Sequence, residues 1–187
     1  MTVKKTLRIL AFDTSMKRPG VAIIEIKARR PRITALSHIA PESKRPHGHR
    51  AKIIEGWALT FLDRHVKTAG FDYITREDFS AKSSGTNYPV MAAWSACERA
   101  VNTFGLAFDK FEAPGKRPAL GVGQSQVKRL VTGSGKAEKD EIAAAVRRYT
   151  GYTGEFAVDD ESDAASIGLA FAINANLIDK ITEGDGK

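Results

Sequence analysis

The chain has 187 residues, 42% of them hydrophobic, enough for one domain with a substantial core. A formal charge of +7 favours a polyanionic partner, either nucleic acid or an acidic membrane surface. The composition excludes a membrane span, which needs about 18 consecutive apolar residues, and the single cysteine, Cys97, excludes an internal disulfide or a thiolate zinc site.

Residues 1–5 carry no signal-peptide core and lead straight toward a strand, so the expected setting is reducing and intracellular. Residues 7–13 and 21–26, rich in Ile, Val and Leu, read as a hairpin whose turn holds Pro19 and Gly20. A shorter third strand is expected at 33–39, followed by a polar loop from Pro41 to Gly48. Ile53, Ile54, Trp57, Phe61 and Leu62 recur at three- and four-residue spacing, which predicts a helix from about 50 to 68. A strand over 71–78 follows, then a small polar loop over 81–87 and a helix over 88–104. After a loop at 114–118 come a short strand near 119–122 and a helix over 124–131, broken by Gly133-Ser134-Gly135. The helix over 137–149 has Asp140 and Glu141 in its first turn, where they suit the helix dipole. The last helix is expected at 160–181, before a polar tail from about 182. A meander of strands followed by strand–helix units predicts a mixed sheet flanked by helices, in one domain spanning 1–187.

Four acids stand where such a sheet could gather them. Asp13 ends the first strand and Glu77 the fourth, and sites in sheets of this kind collect at strand ends. Asp160 and Asp163, three apart, share one face of the last helix. Each has an ordinary reading: Asp13 as a turn former, Glu77 on a solvated strand face, Asp160 as a helix cap. Taken in this order on these elements, they instead suggest oxygen ligands for divalent magnesium, and so metal-dependent cutting of nucleic acid.

Motifs in the same order resemble the RuvC family of Holliday junction resolvases, within the RNase H-like superfamily. Ile9-Leu10-Ala11-Phe12-Asp13-Thr14-Ser15 with Gly20-Val21-Ala22-Ile23-Ile24 is similar to the family's first catalytic hairpin, and Asp72-Tyr73-Ile74-Thr75-Arg76-Glu77-Asp78-Phe79 to its second acidic strand. The stretch from Gln126 to Lys139 and the run Asp160-Glu161-Ser162-Asp163-Ala164-Ala165 resemble its internal signature and its final Asp-x-x-Asp-Ala helix. Longer basic segments at 41–50 and 110–118 mark a divergent or phage-type member.

The resemblance implies an α/β fold of RNase H-like type: an antiparallel meander, then parallel strands, with helices on both faces. It implies a structure-selective endonuclease that resolves four-way DNA junctions. The alternatives are a broader branched-DNA, flap or RNA–DNA hybrid nuclease and a non-catalytic junction-binding protein. Asp13, Glu77, Asp160 and Asp163 would hold two magnesium ions, with manganese as a substitute. Lys128 and Lys139 would lie beside the scissile backbone, and Lys136, in the Gly133–Lys136 turn, near a phosphate. That turn is not a P-loop, because Ala137 and Leu130 stand where the motif needs Ser or Thr and glycine. Phe79, followed by Ser80, is the local candidate for an aromatic wedge in the junction. Arg29, Arg30, Arg32, Lys44, Arg45, Arg50 and Lys52 form a basic stretch that fits a DNA arm or, equally, a solvated loop. His47 and His49 lack the partners of a zinc site and read as loop histidines. Paired nicks imply a two-fold homodimer, with Met91, Trp94 and Phe104 of the 88–104 helix as the candidate interface or, alternatively, monomer core. The expected location is the cytoplasm of a bacterial or phage-infected cell, beside the nucleoid, with no membrane partner and an unassigned helicase partner.

Overall fold

Alternation along the first strand decides how the chain is layered. In the computed structural model, which describes residues 6–78, 87–112 and 118–181, β1 (Leu7–Asp13) runs through the middle of a five-stranded sheet. Ile9 and Ala11 point to one face, Leu10 and Phe12 to the other, and all four are fully buried. A strand covered on both faces needs apolar residues on both, which is why Ile9-Leu10-Ala11-Phe12 shows no polar alternation.

β2 (Gly20–Lys27) pairs antiparallel with β1, and β3 (Arg30–His38) antiparallel with β2. β4 (Tyr73–Asp78) lies parallel to β1 on its other side, and the two-residue β5 (Val122–Gly123) parallel to β4. The order β3-β2-β1-β4-β5 is the expected mixed sheet. α1 (His47–Val66) and α2 (Tyr88–Thr103) cover one face, where Ile54, Leu62, Ala93 and Val101 meet Leu10, Phe12 and Ile23. α3 (Gln124–Thr132), α4 (Lys139–Thr150) and α5 (Asp159–Asn174) cover the other. Each fully buried Leu or Ile in these layers contributes about 1.5–3 kcal/mol of hydrophobic stabilisation.

α5 docks closest of all. A Cβ on Gly168 would stand 2.8 Å from Ile24 Cδ1 and 3.1 Å from Ala11 Cβ, so the alanine-rich face is there to bring a helix backbone down onto the sheet. One on Gly20 would stand 2.1 Å from the carbonyl oxygen of Asp160. The start of β2 and the first turn of α5 are therefore in backbone contact, which fixes where the acids of that turn emerge.

Several boundaries differ from expectation. α1 begins at His47, so His47 and His49 open a helix and are not loop residues. β3 begins at Arg30, because Ala28 and Arg29 both take positive φ (52° and 64°) and make a two-residue turn. Such a turn ordinarily uses Asn-Gly; here the Arg29 guanidinium holds it by bonding to Asp179 and to Asn176. α5 stops at Asn174, seven residues before the expected end. Asn176, with φ 54°, turns the chain so that Ile178 enters the core, and asparagine tolerates that left-handed conformation. The expected polar tail from 182 and most of the expected loop at 81–87 lie outside the described residues.

Candidate functional site

Strand register alone brings two of the acids together. Phe12 is paired with Arg76 across the parallel β1–β4 ladder, so Asp13 and Glu77 follow side by side on strands about 4.8 Å apart. Alternation sends both toward the α5 face, the side on which Tyr73 meets Phe171. Asp163, one turn into α5, hangs over the same end of the sheet. Asp13, Glu77 and Asp163 line one cavity of about 110 Å³ with Gln124, Val127, Lys128, Lys139, Ile142, Ser166 and Ile167. It adjoins a wider cleft of about 510 Å³ past Thr14, Ser15, Met16 and Asp78.

This cavity is short of positive charge. Burial, then the charges of Glu77, Asp163 and Asp160, push the Asp13 carboxyl well above the usual range, and Lys139 only partly offsets them. Glu77 is raised to about 7 by burial and by Asp163 and Asp78, against Lys128. Asp163 is raised to about 6 by burial, which Lys139 opposes, with Asp160 and Asp159 adding to the rise. Three carboxyls that resist ionisation together would be relieved by a cation between them.

The fourth acid is placed differently. Asp160 is the second residue of α5, not its cap, which is Val158. The Nε of Arg18, in the β1–β2 turn, lies 2.9 Å from Asp160 Oδ2. The contact is close but not aligned, and that buried oxygen accepts no hydrogen bond. Beside it, Glu161 is fixed by His38 Nδ1 at 2.9 Å and by the backbone N–H of Ala157.

Among the described residues, no three His, Cys, Asp or Glu side chains close on one point as a finished metal cage. The donor set still fits magnesium, which takes hard oxygens, uses one or two carboxylates at a time and completes its shell with water and substrate phosphate. An orphaned carboxylate oxygen on Asp160 and charge-stressed carboxyls on its neighbours are the features such a group would satisfy.

The basic residues divide. Lys128 lines the cavity and donates from Nζ to the Ala137 carbonyl at 2.7 Å. Lys139 lines it too and reaches Asp159 at 3.0 Å. Lys136 is exposed in the turn after α3. Arg45 is exposed and pairs with Glu42 at 3.0 Å. Arg50 does not match its expected role at DNA: it is 7% exposed, and its Nη2 donates to the Met16 carbonyl at 2.6 Å. It fastens the turn that follows Asp13 instead of facing solvent. Phe79 and Ser80 lie outside the described residues. The basic stretch is also split by β3, since Arg29, Arg30 and Arg32 sit where β3 begins and Lys44, Arg45 and Arg50 lie beyond its end. Six residues of strand, about 20 Å, lie between Arg32 and the end of β3 at His38.

Of the candidate interface residues, Met91 is 50% exposed, and Tyr88 beside it 63%. Trp94 is engaged within the chain, its ring 3.8 Å from the Arg76 guanidinium, and Phe104 packs on the α1–α2 core. Gln124, Ser166 and Arg18 are site neighbours that no spacing in the sequence marks. Gln124 stands where β5 meets α3, and a strand of two residues leaves little pattern to read.

No family model matches the chain. A crossover junction endodeoxyribonuclease RuvC from Synechococcus sp. (strain WH7803) is 27% identical over 163 residues, 87% of this chain and 96% of the relative. The enzyme of the same name from Campylobacter curvus (strain 525.92) is 28% identical over 172 residues, 91% and 99% of the two chains. Among solved structures, Thermus thermophilus RuvC matches with a TM-score of 0.70 at 19% identity, over 94% of this chain and all of the other. The same protein in complex with a Holliday junction substrate matches at 0.71 and 20% identity, over 94% and 99%. These structures share the fold of this chain.

Proposed function

We propose that this chain, a divergent homologue of the RuvC crossover junction endodeoxyribonucleases, cuts four-way DNA junctions by metal-dependent phosphodiester hydrolysis. The observation that carries the reading is the side-by-side placement of Asp13 and Glu77 on parallel strands beneath Asp163, in a cavity edged by Lys128 and Lys139. Its support from relatives is the near full-length similarity to enzymes named for that activity. On this reading Asp13, Glu77, Asp160 and Asp163 hold two magnesium ions, or manganese in their place. The chemistry such ions would supply there is activation of a water and stabilisation of the leaving 3′ oxygen in an in-line displacement, which would give 5′ phosphate and 3′ hydroxyl ends.

The chain's own residues do the rest. Lys128, tethered to the Ala137 carbonyl, and Lys139 present point charges to the phosphates beside the cut. Lys136 and Arg45 extend that contact along the backbone, and Phe79 supplies the aromatic edge toward the opened junction. Two copies related by a two-fold axis, meeting through Tyr88 and Met91 at the start of α2, place two sites for paired nicks. The protein acts where the DNA is, in the cytoplasm. The test is cleavage of an immobile four-way junction, a flap, a plain duplex and an RNA–DNA hybrid, with magnesium and then with chelator. Preferential symmetric nicking of the junction, lost with chelator, is the expected result. Equal cutting of the flap or hybrid makes this a broader nuclease, and binding without cutting makes it a junction-binding protein.

A further inference from the structure

Among the described residues, Asp160 alone of the four acids has a cation of the chain within ion-pair distance. Arg18 reaches it from a turn held on three sides. The Arg18 backbone N–H donates to Ser15 Oγ at 3.3 Å, Arg50 donates to the Met16 carbonyl, and Gly20 abuts the Asp160 carbonyl. The backbone is fixed while the side chain, 38% exposed, remains beside Asp160. Nε is the Arg18 nitrogen nearest Asp160, and among the described residues the two terminal nitrogens make no hydrogen bond. A guanidinium has five donors, so four of them can still face a phosphate.

We propose that Arg18 is a positioning residue that occupies Asp160 in the free protein and passes to a DNA phosphate when substrate enters. The proposal rests on the nuclease reading above and adds to it an order of events. While Arg18 lies on Asp160, a divalent cation at that carboxylate meets a fixed positive charge a few ångströms away. A phosphate in the cleft offers Arg18 a better-matched acceptor, because guanidinium and phosphate can pair through two parallel N–H bonds. Asp160 is then released, and by linkage the affinity for DNA and the affinity for cation rise together. The misaligned contact suits a hand-off, since an aligned bidentate pair would hold more tightly.

The test uses the full chain and manganese as the probe, titrated without DNA and followed by the loss of the free-ion paramagnetic signal. Arg18→Met should bind manganese about tenfold more tightly than wild type, as expected when a like charge is removed from a partly buried site. Arg18→Lys should stay near wild type, and Arg18→Met combined with Asp160→Asn should lose the gain. A second arm measures junction binding in chelator by the Asp13→Asn protein. Adding Arg18→Met there should weaken binding several-fold and lower the salt slope by about one phosphate contact. Unchanged manganese affinity in Arg18→Met, a gain that survives Asp160→Asn, or unchanged junction affinity overturns the proposal. If wild type cuts junctions while any of these holds, only the role of Arg18 falls. If wild type neither binds manganese nor cuts, the nuclease reading falls with it.

Discussion

Arg76 is a guanidinium with 1% exposure lodged between the rings of Trp94 and Phe108, at 3.8 and 4.5 Å, one residue before Glu77. Its Nε donates to the Leu120 carbonyl at 3.2 Å, and Nη1 reaches Glu98 at 3.3 Å. A buried charge is tolerated only with such partners, so the acidic strand is tied at its end to α2 and to the segment before β5. Arg76→Ala should cost about 3 kcal/mol in urea denaturation, and Arg76→Met, which keeps the apolar contacts, distinctly less. An alanine variant as stable as wild type would remove Arg76 from the account. Glu77 itself works against folding at neutral pH. Its ordinary value of 4.5 rises to about 7, so between those limits the native state keeps a proton that the unfolded chain has released. Stability attributable to this group therefore falls as pH rises through that window and is lowest above it. Glu77→Gln should stabilise the protein by about 2 kcal/mol at pH 8 in chelator, and hardly at all near pH 4, by thermal denaturation.

Elements whose pattern was strong were legible. The apolar run of β1 with the Pro19-Gly20 turn, the start of α2 at Tyr88 and the glycine break after α3 all lie where periodicity puts them. What escaped depends on contacts made from far along the chain. The end of α5 is set by Asn176 and its clasp on Arg29, 147 residues away. The inward turn of Arg50 is set by a carbonyl 34 residues before it. Asp13 and Glu77 could be chosen from sequence because a strand end is a local property. The hold of Arg18 on Asp160 could not, because it depends on how α5 meets the hairpin. That meeting gives a prediction at this scale. Gly20→Ala places a methyl against the backbone of Asp160, whereas Gly168→Ala meets the movable end of Ile24 together with the Ala11 methyl. Gly20→Ala should lose more than about 2 kcal/mol and exceed Gly168→Ala in denaturant, because a backbone cannot yield as a side chain can. The reverse ranking would mean that α5 is positioned by its alanine face alone.

At the scale of the whole molecule, charge is distributed by sheet direction. The acids gather where β1 and β4 end, with Lys128 and Lys139 around them, while Arg29, Arg30 and Arg32 lie where β3 begins, at the opposite edge. A junction bound over the carboxylates would meet the first group and not the second. Two such sites acting together require a dimer, and light scattering at micromolar concentration should give twice the chain mass. A monomer with and without junction DNA would contradict it.

Carboxylates from β1, β4 and α5 meet at one end of the sheet, and the proposed reading has them hold cations against a sugar–phosphate backbone. Asp13→Asn is the sharpest probe of that reading, because it changes one oxygen to nitrogen at a carboxyl that burial and its acidic neighbours push well above the usual range, and it keeps the shape of the side chain. This variant should bind an immobile four-way junction at least as well as wild type and leave it uncut in magnesium under single-turnover conditions. Cutting at the wild-type rate would contradict it.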